Sequence, residues 1–297
     1  MRKDHSPLVS VVIPTYNHAQ YIGRALQSVL DQTYSQWEAI VIDNHSSDNT
    51  DEVMRKYTDP RISYLKIHNN GVIAASRNMG IRAAKGEWIA FLDSDDWWHH
   101  KKLEACMLQA STNYDLVYHD LKVVGRVNQK ISLRKSRSRQ LKKEAYSDLL
   151  SNGNAMPNSS VVVRKELLFK INGISQDADK VSWEDYDTWI RLAQKGCRFK
   201  RIRGRYGSYW ADGNSVSNPN RTLRNIQSFS NIYLKQEDSV QNKTLSLPWW
   251  CHYSSGICYK QIGNYEKAKS HFIKALKKTH QWSDRMLILF QMIIRMR

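Results

Sequence analysis

Asp93, Asp95 and Asp96 place three carboxylates within four residues, directly after the apolar run Glu87-Trp88-Ile89-Ala90-Phe91-Leu92. A strand that ends in clustered Asp delivers hard oxygen ligands at the carboxyl edge of a sheet. Mg²⁺ and Mn²⁺ prefer such oxygens and are held by one or two carboxylates together with substrate phosphates. Ligands of open α/β sheets also bind beyond the carboxyl ends of the strands. The plain alternative is an acidic turn that caps the next helix. A second cluster, Ser182-Trp183-Glu184-Asp185-Tyr186-Asp187, supplies three more acids. A carboxylate there can serve as a general base if it reaches the proton it must take. Ser182 also reads as a helix N-cap with Asp185 at the third helical position, which would make Asp185 a capping carboxylate. Asp187 stands one turn from Arg191, the spacing of an ion pair.

The elements that must carry these acids are legible upstream. Val9-Ser10-Val11-Val12-Ile13-Pro14 reads as a buried strand closed by Pro, followed by the turn Thr15-Tyr16-Asn17 and a helix from about Ala19 to Gln32. Ala39-Ile40-Val41-Ile42-Asp43-Asn44 is a second strand with a polar end, and His45 to Thr50 leads into a helix through Met54. Ile62-Ser63-Tyr64-Leu65-Lys66 is a third, followed by a helix carrying Arg77-Asn78-Met79-Gly80. With the run before Asp93, apolar and helical segments alternate four times before residue 100. That is the pattern of βαβ units and a mainly parallel, covered sheet, with every strand sending polar residues to one edge.

At 297 residues and 41% hydrophobic, the chain can form one large domain plus a small appendage. Met1 to His5 lead into a polar turn and a strand, so no secretory signal is read there, and no apolar run reaches the length of a membrane span. Cys106, Cys197, Cys251 and Cys258 form no Cys-x-x-Cys pair and read as reduced, buried thiols of a cytosolic protein. Residues 200–297 hold 17 Lys or Arg against 5 Asp or Glu, a net +12 of the chain's +17. From Lys122 to Lys143 there are nine Lys or Arg and no acid. Such surfaces attract polyanions: nucleic acid, anionic lipid headgroups or a nucleotide diphosphate. A solvated loop is the plain reading of the second stretch, and no nucleic-acid-binding module is recognisable.

The ordered set of motifs resembles the family 2 glycosyltransferases of GT-A fold over about residues 8 to 215. The matching pieces are Val11 to Asn17, Ser28 to Tyr34, Val41 to Asp48, Arg77 to Gly80, Lys85 to Asp96 and Trp183 to Trp189. The resemblance implies an α/β GT-A domain over 1–217, with a nucleotide-binding half at about 8–118 and an acceptor half at about 119–217. It implies a nucleotide-sugar donor, Mn²⁺ or Mg²⁺, and transfer with inversion. Asp96 is then the direct metal ligand. Asp95 supports the metal or holds ribose and sugar hydroxyls, and Asp93 orients the loop. Pro14, Thr15 and Tyr16 lie beside the base, with Asp43 and Asn44 closing the second strand. The position that carries an acid facing uracil in relatives falls here on Asn44, which can donate as well as accept, so a uridine donor is not implied. Arg77 adds charge near the diphosphate, or is an ordinary helix-surface residue. Asp185 takes the role of general base, with Glu184 as the alternative base or an acceptor-binding group. Trp183 and Trp189 fit either a wall for a sugar ring or core packing. Many relatives carry Arg and His in the loop corresponding to Tyr209–Ser217; this chain has Trp210 there, and no His. The expected cation is then replaced by metal contacts or by the basic run Lys200 to Arg205.

The C-terminal part, 218–297, reads as an all-α extension. Gly256, Tyr259, Gly263, Tyr265, Ala268, Phe272 and Ala275 have spacings that resemble one tetratricopeptide repeat, a hairpin over 248–279. It would pack on a helix near Asn220 to Gln236. The terminal apolar helix, 284–297, can bury on the hairpin, dock on an anionic membrane surface beside the nearby cations, or seat in a partner's groove. The function read from all this is a cytoplasmic transferase, peripheral at the membrane, that moves a sugar to a hydroxyl of a glycan or lipid-linked glycan in lipopolysaccharide, capsule or cell-wall synthesis. A nucleotidyltransferase is the alternative, but Pro14-Thr15-Tyr16-Asn17 is not a glycine-rich phosphate loop. A non-catalytic polyanion-binding protein that keeps the fold is the third reading, and no nucleic-acid partner is expected.

Overall fold

The computed structural model describes residues 6–110, 113–125, 138–211, 218–235 and 246–293, together with the backbone of 135–136. Four strands, Val9–Thr15 (β1), Trp37–Asp43 (β2), Ile62–Lys66 (β3) and Trp88–Phe91 (β4), run parallel in the order β3-β2-β1-β4. All seven residues of β1 are buried, as expected of a parallel strand covered on both faces. Thr15 pairs with Asp43 and Asp43 with Lys66, so these strands end level and present their loops to one edge.

The intervening helices are Ala19–Leu30 (α1), Thr50–Met54 (α2) and Ile73–Ala83 (α3). Gly80 lets α3 lie against the sheet: a Cβ there would stand 2.6 Å from Val12 Cγ1 and 2.8 Å from Ile42 Cδ1. Gly80→Val should therefore lift α3 and cost ~1–3 kcal/mol, as overpacking does. A urea midpoint unchanged from the parent would refute this account of the close approach.

Beyond β4 the sheet is mixed. The further elements are Trp97–Trp98 (β5), Lys102–Ala110 (α4), Leu116–Gly125 (β6), Lys135–Ser136 (β7), Ala145–Asn152 (α5), Val162–Arg164 (β8), Lys165–Lys170 (α6), Glu184–Gln194 (α7) and Phe199–Ala211 (β9). The nine strands follow the order β3-β2-β1-β4-β8-β6-β9-β5, with β7 on β6. Strand β8 is antiparallel to β4 and β6, β9 is parallel to β6, and β5 is antiparallel to β9. The parallel arrangement expected from the sequence thus describes the first half, where crossover helices link β1, β2, β3 and β4 in turn.

A second unit gathers described residues within Lys142–Asn154, Asp177–Trp183 and 215–297. Its helices are α5, Pro219–Phe229 (α8) continuing into a π-helical stretch Ser230–Leu234, Trp249–Gln261 (α9), Tyr265–Lys278 (α10) and Trp282–Ile293 (α11). Asn218 caps α8 and Asn264 caps α10, each accepting from the backbone N–H three residues on. Helices α9 and α10 meet where Gly256 faces Phe272, whose ring lies 2.6 Å from the place of a Cβ. Trp183 packs edge-on against Phe229 and Tyr233 of this unit. Most of the basic stretch 126–137 and residues 294–297 lie outside the described residues. All four cysteines are free and buried. Among the described residues, no helix is long and apolar enough to cross a membrane.

Candidate active site

The ends of β1 and β2 are tied to each other. Asn17, in the left-handed region at φ 50°, donates its backbone N–H to Ser46 Oγ and accepts from Ser47 N at 2.8 Å. Asp48 accepts from Ala19 N at 2.9 Å and from Thr50 N at 3.1 Å, which fixes the entries to α1 and α2 together. Asp43 is fully buried and accepts from the backbone and hydroxyl of Ser46 and from the Tyr64 hydroxyl. Its oxygens are thus engaged by Ser46 of its own loop and by Tyr64 of β3. Asn44 Oδ1 accepts from Asn69 N at 2.8 Å. Pro14 and Thr15 are buried, Thr15 Oγ1 has no hydrogen-bond partner among the described residues, and the Tyr16 ring is 54% exposed beside them.

The acidic loop after β4 does not cap a helix, since α4 begins only at Lys102. Instead it is pinned from several directions. Asp93 N donates to Ser159 Oγ at 3.1 Å, and Asp93 Oδ1 accepts from Arg77 Nη2 at 2.8 Å and Asn158 Nδ2 at 3.2 Å. Asp96 is buried, and its Oδ1 accepts from Trp210 N of β9 at 2.9 Å. Its Oδ2 is buried with no hydrogen-bond partner among the described residues. Burial, then the charges of Asp93 and Asp95, push the Asp96 carboxyl well above the usual range. No group of three or more His, Cys, Asp or Glu among the described residues is arranged to hold a metal ion. A buried carboxylate oxygen without an internal partner nevertheless suits a divalent cation, which draws its remaining ligands from substrate phosphate and water.

Arg77 connects this loop to the second acidic cluster. It is buried on α3, with Nη2 on Asp93 and Nη1 on Glu184 Oε1 at 2.6 Å. Arg77 is not the helix-surface residue of one sequence reading: it is buried, and its fork meets two carboxylates. It acts as a brace between α3, the β4 loop and the start of α7. The other residues of its motif also have structural tasks. Asn78 pairs with both backbone groups of Ile174, at 2.7 and 2.9 Å, and Gly80 permits the close approach described above.

Helix α7 begins at Glu184, so Asp185 is its second residue and not its third. Ser182 sits at φ 74° with Oγ lacking a hydrogen-bond partner among the described residues, so it does not cap the helix. Asp185 accepts from Tyr186 N at 2.7 Å. Burial and the adjacent Glu184 carboxylate push Asp185 up to about 7, against the pull of Arg77. Glu184 Oε2 is buried without a hydrogen-bond partner among the described residues. Asp187 pairs with Arg191 at 2.7 Å, as its spacing requires. Trp189 is buried 6.3 Å from Phe91, and Trp183 belongs to the helical unit; both are packing residues and not a sugar-facing wall.

The sequence pattern of "Glycosyl transferase family 2" matches residues 10–170, which takes in Arg77 and the whole Asp93–Asp96 loop. The chain belongs to this family. It is 31% identical over 222 residues, 71% of its length, to TuaG of Bacillus subtilis, a glycosyltransferase named for teichuronic acid biosynthesis; the match covers 82% of that protein. It is 38% identical over 118 residues to WfgD of Escherichia coli, a UDP-Glc:alpha-D-GlcNAc-diphosphoundecaprenol beta-1,3-glucosyltransferase, covering 39% of this chain and 47% of that one. Among solved structures, the mannosyltransferase PcManGT of Pyrobaculum calidifontis, in complex with GDP-Man and Mn²⁺, superposes with a TM-score of 0.57. It shares 19% identity, over 97% of this chain and 80% of that one, so the likeness is one of GT-A fold. The family match stops short of the C-terminal helices, and the tetratricopeptide likeness of α9 and α10 is not confirmed.

In this family 2 glycosyltransferase, one site residue escaped the sequence reading. Arg24 of α1 lays its guanidinium 3.7 Å from the Trp97 ring centroid and 5.0 Å from that of Trp210, and Nη2 donates to the Asp95 carbonyl at 2.7 Å. Where many relatives have a cationic residue, Trp210 brings an aromatic face, and a cation from a distant helix stacks on it. Arg201, in the basic run once expected to supply that charge, is paired with Asp120 at 2.9 Å. Nothing in the spacing of α1 distinguishes Arg24 from a surface arginine; only the pairing of β5 with β9 assembles its aromatic seat. Removing the stack (~0.5–2 kcal/mol) and the charge-assisted bond (~1.5–3 kcal/mol) should loosen the Asp95–Asp96 loop. Arg24→Met should weaken metal-dependent donor binding ~10- to 100-fold, with Arg24→Lys between the two. Donor titration by calorimetry checks this, and equal affinities in all three proteins would remove Arg24 from the site.

Proposed function

We propose that the chain transfers a sugar, with inversion and with the help of a divalent cation, from a nucleotide-sugar donor to a glycan hydroxyl in cell-surface polysaccharide synthesis. The observation that supports this reading is the Arg77 brace, which ties Glu184, the neighbour of Asp185 at the start of α7, to Asp93 of the acidic loop although they are far apart in sequence. The nucleotide would lie over the ends of β1 and β2, beside Thr15, Tyr16 and Asn44, with Pro14 and Asp43 shaping the pocket from beneath. Asp96, with Asp95, would hold Mn²⁺ or Mg²⁺; the bound ion would neutralise the negative charge that grows on the departing diphosphate. The acceptor oxygen attacks the anomeric carbon while the bond to the diphosphate oxygen breaks. The hydroxyl proton passes to Asp185, whose raised pKa suits a base working near neutral pH.

The names of TuaG and WfgD support an envelope glycan as product and a lipid-linked glycan as one acceptor class. In our reading the protein sits at the cytoplasmic face of the membrane, as a peripheral protein with no nucleic-acid partner. The deciding experiment is a panel of nucleotide sugars incubated with Mn²⁺ or Mg²⁺ without acceptor. Release of nucleoside diphosphate from one or a few donors is expected. Release of pyrophosphate from a nucleoside triphosphate instead would favour a nucleotidyltransferase, and no turnover or binding of any donor would favour a non-catalytic scaffold.

A further inference from the structure

Helix α11 is apolar on two opposed sides, and among the described residues only one of them is covered. Ile288 is fully buried and Met292 packs beside it, in one cluster with Ala268, Phe272 and Ala275 of α10. Trp282, Met286, Leu289, Phe290 and Ile293 are exposed, Trp282 by 75% and Ile293 by 80%. At 100° per residue these five fall within a stripe about 100° wide that contains no charged side chain. A face of this size on a monomer marks an interaction surface. The anchoring of α11 is specific: Arg285 Nη1 donates to the Leu276 carbonyl and Lys260 Nζ to the Gln291 carbonyl at 2.6 Å. The stripe is therefore not awaiting burial against its own hairpin.

The neighbouring charge selects the occupant. Helix α10 carries Lys267, Lys269, Lys274, Lys277 and Lys278 against a single acid, Glu266, and four of those lysines are exposed. An aromatic-bearing apolar stripe beside a lysine-rich helix has the composition of an interfacial helix, which sinks its apolar side to the acyl boundary while lysines meet anionic headgroups.

We propose that α11, with the lysines of α10, is the surface by which the protein docks reversibly on an anionic lipid bilayer. The 12 described residues of α11 are too few to span one, and the helix would lie in the interface plane. The test uses the full chain, sedimented with vesicles of phosphatidylglycerol mixed with phosphatidylcholine and with vesicles of phosphatidylcholine alone. Binding to the anionic vesicles is expected, weakened at least tenfold by raising the salt and by omitting phosphatidylglycerol. Trp282→Glu with Phe290→Glu should lower partitioning at least tenfold and leave donor hydrolysis and Tm unchanged, since both side chains are solvent-exposed. Lys274→Glu with Lys277→Glu gives a second variant that keeps the stripe and should lose only the salt-sensitive part. Undiminished binding by both variants would overturn the proposal. So would a full chain that ignores vesicles and forms a dimer which the stripe substitutions dissociate; the stripe would then be an interface between copies.

Discussion

Asp96→Asn should abolish sugar transfer by a hundredfold or more, the usual size of effect when a group stabilising transition-state charge is removed, while the protein stays folded. The reason lies in how its two oxygens are used. Oδ1 accepts from Trp210 N, and the amide oxygen of Asn can keep that bond. Oδ2 has no hydrogen-bond partner among the described residues, so replacing it by NH₂ disturbs little beyond the Ser159 hydroxyl that favours the charged carboxyl. What is lost is an anionic oxygen for the cation. Three measurements separate the possibilities: turnover with Mn²⁺, nucleoside diphosphate affinity with and without Mn²⁺, and Tm. Lost turnover together with lost metal-dependence of nucleotide affinity, at near-parent Tm, is the expected set. Parent-like turnover with ordinary metal dependence would sink Asp96 as the ligand. A collapse in Tm would instead make it a structural acid that seats β9.

Asp185→Asn should cut transfer ~10²- to 10⁴-fold, the range for a removed general base, and leave nucleotide affinity intact. The sign of the pH dependence follows from the raised pKa. The working form is the carboxylate, which is protonated below about 7, so the parent's transfer rate should fall as pH drops through that value and level off above it. The limb follows the Asp185 carboxyl, raised by its burial and by the adjacent Glu184 charge. The residual activity of Asp185→Asn should lack this limb. If nucleotide affinity fails along with turnover, Asp185 is holding the start of α7, and Glu184, whose Oε2 is buried without a hydrogen-bond partner among the described residues, becomes the candidate base.

The alternation of strands and helices through β4 was readable from sequence because its causes are local. Runs such as Val9-Ser10-Val11-Val12-Ile13 are continuous because both sheet faces are covered, and polar residues cluster where each strand stops. The acids at the end of β4 were readable for the same reason. The spacing of Asp187 and Arg191 needs only one helical turn to become an ion pair. The start of α7 was not readable, because Ser182 has the composition of a cap but a left-handed backbone that carries its side chain elsewhere.

By itself, then, the sequence determined the parallel half-sheet, the edge at which its polar residues gather, and the acids available there, all consequences of residue periodicity and strand ends. Tertiary structure alone decided which of those acids face inward and what they meet. Asp43 is consumed by Ser46 and Tyr64, and Arg77 is closed between Asp93 and Glu184. Arg24 reaches the Asp95 carbonyl only because β5 pairs with β9 and places Trp97 and Trp210 around it. These outcomes rest on pairings between segments up to about a hundred residues apart, and no local pattern encodes which buried charge will find which partner.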